Sequence, residues 1–208
     1  MLFNYRMRKI SFLLTLFLIF IAGCSRKKEN IQLPLSEEKI EEALKYGKEN
    51  ASLSLTEFTE PWTVDLGYEL WKGRATLITP FLRVALIGRK AVKLGKEPDY
   101  NVIKVALKDE TDKLHFRVSL YGDRPTFGRG VDFILKFDSK EIKPIHKFMP
   151  LYSQFTRDYY NVVTGEVKFS KNGIPEDGVV KLIAIFPPEK DEKERKRCEF
   201  TFDLKKYR

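Results

Sequence analysis

The spacing of apolar residues changes character three times along this 208-residue chain. At the start, three basic residues (Arg6, Arg8 and Lys9) precede an apolar run of about a dozen residues beginning at Ile10. A bilayer crossing takes ~20 apolar residues, so the run reads as a secretory leader and not as a span. Beyond a polar, proline-interrupted stretch, Ile40, Ala43, Leu44 and Gly47 follow the i, i+3, i+4, i+7 spacing of a docking face. That spacing predicts a helix starting after Ser36 as N-cap and ending near Asn50, with Glu37 and Glu38 placed to suit its dipole. A second helix is predicted from Pro80 to Leu94. Thr79 caps it, Pro80 sits where a missing N–H costs nothing, and Gly95 ends it. Its basic residues Arg83, Arg89, Lys90 and Lys93 share one arc and leave a wide apolar arc, which fits docking on a sheet better than lying on a membrane.

After residue 100 the period becomes two. Strands are predicted at 101–108, 114–120, 131–137, 142–148, 160–169, 179–186 and 198–204, separated by turn-forming clusters. In the second of these, Leu114, Phe116, Val118 and Leu120 oppose His115, Arg117 and Ser119. The segment 179–186 is apolar on both faces apart from Lys181, as expected of a central strand. Residues 63–66 and 74–78 form a further candidate hairpin. Seven short strands without intervening helices predict an antiparallel β-sandwich of immunoglobulin-like architecture, with two packed N-terminal helices. The Cys…Trp…Cys spacing of true immunoglobulin domains is missing, so that label is architectural only. The expected organisation is a leader over 1–23, a tether over 24–35, a helical segment over 36–98 and the sandwich over 99–208.

The sequence Ile21-Ala22-Gly23-Cys24 closes the leader and resembles the lipobox of bacterial lipoproteins. The resemblance implies that Cys24 is lipidated, becomes the first mature residue and anchors the chain to a membrane outside the cytoplasm. Ser25 follows it where an aspartate often signals inner-membrane retention. The resemblance therefore implies an outer-membrane anchor facing the periplasm if the cell is diderm. Eleven extended tether residues reach at most ~35–40 Å, which keeps the folded body near its membrane.

The leader carries three of the 38 basic residues and none of the 29 acidic ones, leaving a net charge of +6 (35 basic against 29 acidic). A basic exported body gains some attraction to anionic headgroups. Nucleic acid is not an expected partner, because no recognition motif is present. With Cys24 lipidated, Cys198 has no disulfide partner. Residues 198, 200, 202 and 204 share one apolar parity, so Cys198 reads as a small buried hydrophobe.

Catalytic chemistry finds little support. The chain has two histidines, His115 and His146, read as surface residues of strands, and it lacks metalloprotease, nucleophile-elbow, Cys-x-x-Cys and phosphate-loop motifs. The carboxylate pairs Asp109/Glu110 and Glu176/Asp177 read as solvated turn residues. The mixed-sign run 189–197 reads as an exposed hairpin loop. No cofactor, metal or enzymatic activity is expected.

Two irregular stretches concentrate arginine and aromatics, the residues enriched at interaction hot spots. Loop 121–130 holds Arg124, Phe127 and Arg129, and loop 150–160 holds Tyr152, Phe155, Arg157, Tyr159 and Tyr160. These eight residues are the candidate partner-binding set. The expected function is a non-enzymatic binding or assembly module that holds an envelope protein near the membrane. The alternative is a carrier of lipid or another apolar ligand in a cavity between sheet and helices, and an envelope hydrolase ranks third.

Overall fold

The computed structural model describes residues 34–155, 161–188 and 194–207. The leader, Cys24 and most of the tether lie outside the described residues, as do Arg157, Tyr159 and Tyr160. The described residues form a helical layer and two antiparallel sheets packed in a β-sandwich-like arrangement.

Helix α1 (Glu37–Glu49) begins where its cap residue dictates, the Ser36 hydroxyl accepting from the Lys39 N–H. Ile40, Ala43, Leu44 and Gly47 are its buried face, as the spacing predicts. A short α2 (Leu55–Thr59) opens with a full capping box: Ser54 Oγ accepts from Glu57 N–H, and the Glu57 carboxylate accepts from Ser54 N–H. Strands β1 (Thr63–Asp65) and β2 (Gly73–Leu77) then pair as the expected hairpin. Helix α3 (Pro80–Lys93) starts at the Thr79 cap with Pro80 in its first turn. It crosses α1 closely because both helices present glycine at the contact. A Cβ on Gly47 would run into the Ala85 carbonyl, and one on Gly88 would approach the Leu44 backbone.

The segment after α3 corrects the reading of 101–108 as a strand. Tyr100–Asp109 is a helix, α4, with the Asp99 carboxylate capping Asn101 N–H at 2.8 Å. Alternation puts Ile103, Val105 and Leu107 on one face. In the helix Ile103, Ala106 and Leu107 are buried while Val105 is 71% exposed. So short an apolar segment satisfies both periods, and the cap at Asp99 was the signal that separated them.

Strand β3 (Lys113–Gly122) follows, then β4 (Asp132–Phe137) and β5 (Lys140–Ile142). The single strand expected over 142–148 is two. Ile142 ends β5 in one sheet, and β6 (His146–Phe148) belongs to the other. Pro144 lies between them, where it has no N–H to give to a ladder. The short β7 (Gln154–Phe155), then β8 (Asn161–Ser170), β9 (Val179–Ile185) and β10 (Arg197–Asp203) complete the chain.

The first sheet runs β1-β2-β3-β8-β6, with β7 also on β8, and the second runs β10-β9-β4-β5. The chain passes between the sheets after β3, β5 and β8. Even-numbered residues of β3 (Leu114, Phe116, Val118, Leu120) enter the core shared with Leu135, Leu182, Phe200 and Phe202 of the second sheet. Cys198 lies in that core, 7% exposed, as its parity predicts. A second core joins α1, α3 and α4 around Leu44, Phe58, Leu82 and Ile103. Ile78, the residue after β2, joins this second core.

Candidate functional site

The two loops singled out from the sequence meet. Ser153 donates its backbone N–H to the Pro125 carbonyl at 2.7 Å, and its hydroxyl donates to Asn161 Oδ1 at 2.8 Å. Loop 121–130 is thereby bound to the segment carrying β7, and both sit at the β8 edge of the first sheet.

Residues 145–155 expose five large apolar side chains, Ile145, Phe148, Leu151, Tyr152 and Phe155, each between 57% and 71% accessible. Five in eleven consecutive residues is a high density of exposed apolar side chains, but the register divides them. Phe148 pairs with Glu166 and Phe155 with Asn161, positions of opposite parity on β8, so the two rings lie on opposite faces of the sheet. The strands beneath them are only three and two residues long, so little backbone pairing covers that edge.

The proposed binding residues divide accordingly. Arg129, Tyr152 and Phe155 are exposed. Arg124 is half-buried and donates to the Pro188 carbonyl at 3.3 Å, bracing the loop against the start of the β9–β10 connection. Phe127 requires a correction: it is fully buried and stacks on Phe186 with ring centroids 6.1 Å apart. Its burial follows from Gly122 and Gly128. The ring fills the space a Cβ at Gly122 would take, and Gly128 packs its bare backbone on Val163. The candidate partner-binding aromatic of loop 121–130 is thus a core plug. Ile145, Phe148 and Leu151, absent from the candidate set, are exposed as well. Reading 142–148 as one continuous strand hid the first two.

The charged run also differs from its expected role. Residues 189–193 lie outside the described residues, but Arg195 is half-buried and clamps the sandwich. Its guanidinium donates to the carbonyls of Phe186 at 2.8 Å and Gly130 at 3.0 Å and pairs with Asp132 at 2.8 Å. Asp132 is held below the ordinary carboxylate range by Arg195 and Lys147, against the opposing effect of its own partial burial.

His115 and Glu110 are not the surface residues that the sequence pattern implied. Both side chains are 1% exposed, with His115 Nδ1 2.9 Å from Glu110 Oε1 and Arg83 Nε 3.8 Å from the same oxygen. His115 Nε2 faces Glu166 at 3.4 Å and has no hydrogen-bond partner among the described residues. Neighbouring Asp109 is half-exposed and bonded to Lys168 at 2.6 Å and Lys113 at 3.0 Å, which hold its carboxyl down at about 2. His146 is exposed on β6. Among the described residues no group of three or more His, Cys, Asp or Glu side chains is arranged to hold a metal.

A cleft of about 460 Å³ is lined by apolar residues, among them Pro34, Leu35, Phe81 and Tyr207, and also by charged Glu110, Asp112, Lys113, Lys171 and Glu176. No helix among the described residues is long and apolar enough to cross a membrane. Comparison with family models, curated proteins and solved structures finds no match to this chain.

Proposed function

We propose that this chain is a bacterial lipoprotein, exported by its leader and anchored through Cys24 to the cell envelope, whose sandwich holds a protein partner near the membrane. In a diderm cell it sits on the outer membrane and faces the periplasm. An immunoglobulin-like relation of the two sheets belongs to the same reading, and the repeated passage of the chain between them supports it. The observation that carries the binding role is the exposure of Leu151, Tyr152 and Phe155 within five residues, with exposed Arg129 on the loop that Ser153 bonds to. Aromatic side chains flanked by arginine supply large contact area at low entropic cost, the composition of interaction hot spots. The role needs no catalytic group. The test is in-cell crosslinking of the anchored chain followed by mass spectrometry of what is captured. A dominant envelope protein, lost from an Arg129→Ala/Tyr152→Ala/Phe155→Ala variant of unchanged melting temperature, supports the reading. Equal capture by that variant refutes it.

The cleft beside Leu35 favours one alternative, a carrier of lipid or another apolar ligand. Its volume falls within the range of small-molecule sites, and its apolar residues, Leu35, Phe81 and Tyr207 among them, lie beside charged ones such as Glu110 and Lys171, a lining that suits an amphipathic ligand. Co-purified lipid with no captured protein moves the assignment to the carrier.

A further inference from the structure

We infer that Arg74 and Arg117 form a binding site for a phosphate group, in a cavity between α2 and the outer face of the first sheet. This inference is independent of the exposed apolar residues at the β8 edge. The cavity holds about 180 Å³ and is walled by α2, α3 and the first sheet. Arg74 lies opposite Ser119, and Arg117 opposite Thr76, so the two arginines occupy diagonal positions on neighbouring strands. Two like charges so placed repel unless an anion sits between them. Neither guanidinium has a hydrogen bond or ion pair among the described residues, and no carboxylate lines the cavity.

Two carboxylates are their neighbours in the sheet, and neither forms an ion pair with Arg74 or Arg117 among the described residues. Asp65, opposite Arg74, accepts from the Gly67 N–H at 2.9 Å. Glu166, opposite Arg117, lies at His115 Nε2. The positive charge of the cavity is therefore not cancelled from within its walls.

The hydroxyls sharpen the chemistry. Each carries one proton, and its use can be followed. Thr63 donates to the Thr59 carbonyl at 2.8 Å, so in its 2.7 Å contact with Thr76 it accepts, and the Thr76 proton is spent there. Thr59 donates to the Leu55 carbonyl. Ser119 and Thr164 lie 2.8 Å apart, and one donates to the other, which leaves one proton free between them. Thr56 has no side-chain hydrogen bond among the described residues, so its proton is also free. The cavity thus offers two guanidinium forks and two hydroxyl protons from α2, β2 and the β3–β8 pair. Donors from three directions with a charge of +2 suit a tetrahedral dianion better than a planar monoanionic carboxylate. The aliphatic side chains of Leu55, Ile78 and Leu86 give the ester substituent an apolar wall. Inorganic phosphate, a soluble phosphomonoester or the headgroup of an anionic lipid all present this chemistry.

The experiment titrates the full-length chain by calorimetry, in detergent with inorganic phosphate and with glycerol 3-phosphate, and, after reconstitution into neutral phosphatidylcholine vesicles, with vesicles containing phosphatidic acid. Saturable binding of either soluble probe assigns a free phosphate. Binding to the vesicles alone assigns a lipid headgroup. In both cases Arg74→Gln and Arg117→Gln weaken binding about tenfold or more each, because each removes charged hydrogen bonds to the ligand. Thr56→Val, which alters only an exposed hydroxyl and guards against a folding defect in the arginine variants, weakens it less. No saturable binding of any probe, binding unchanged in folded arginine variants, or equal displacement by acetate overturns the inference.

Discussion

His115 Nδ1 stands 2.9 Å from Glu110 Oε1, with each side chain 1% exposed, so the last turn of α4 is fastened to the face of β3 that alternation assigns to solvent. Removing one partner of a buried pair strands the other without water. His115→Ala is expected to cost about 3 kcal/mol of unfolding free energy in urea. Replacing both residues by leucine is expected to restore most of that loss, since two apolar groups leave no buried charge behind. A single variant of wild-type stability counts against the pair as a fastening.

Asp109, one residue earlier, sets an acid limit. Lys168 and Lys113 hold its carboxyl at about 2, below its ordinary 3.8. A carboxyl depressed in the folded state contributes stability that is complete above about pH 4 and is lost as pH falls through 2. Asp109→Asn should therefore be less stable than wild type at neutral pH, with the gap closing between pH 4 and pH 2. Stability curves that stay parallel across that window exclude the effect.

Phe127 and Tyr152 separate core from surface within the same loop pair. Phe127→Ala empties a fully buried aromatic site and is expected to cost roughly 3–5 kcal/mol. Tyr152 is 71% exposed, and Tyr152→Ala should change stability by less than about 0.5 kcal/mol. Thermal melts of the two variants make the comparison directly.

Burial pushes the Cys198 thiol up to about 12. In a Cys24→Ser chain it is the only thiol, and it is expected to stay unreacted with an aromatic disulfide reagent at pH 8 until urea unfolds the sandwich. Rapid reaction in the folded chain contradicts this.

Close approach of α1 and α3 gives a fifth expectation. Gly47→Ala places a methyl against the Ala85 carbonyl, and the helices must separate. The expected cost is about 1–3 kcal/mol in denaturant unfolding, despite the better helix propensity of alanine.

Local rules fixed much of this protein. Ser36 and Thr79 placed the starts of α1 and α3, and the parity of 114–120 and 198–204 chose the residues that entered the sandwich core. Those features depend on neighbours within a few positions, which a linear pattern records. Residues 101–108 show where that record becomes ambiguous, because Ile103 and Leu107 fit both periods, and the Asp99 cap together with docking beside α3 favours the helix. The polar face of β3 shows the same limit at longer range. Alternation marked His115 and Arg117 alike as outward, yet α4 buried the first and left the second exposed. The meeting of Pro125 with Ser153, the burial of Phe127 between two glycines and the diagonal placement of Arg74 and Arg117 on neighbouring strands all join distant parts of the chain. Which side chains face outward is set by the period of each element. What lies over them is set by how the layers pack, and only the tertiary structure decides that.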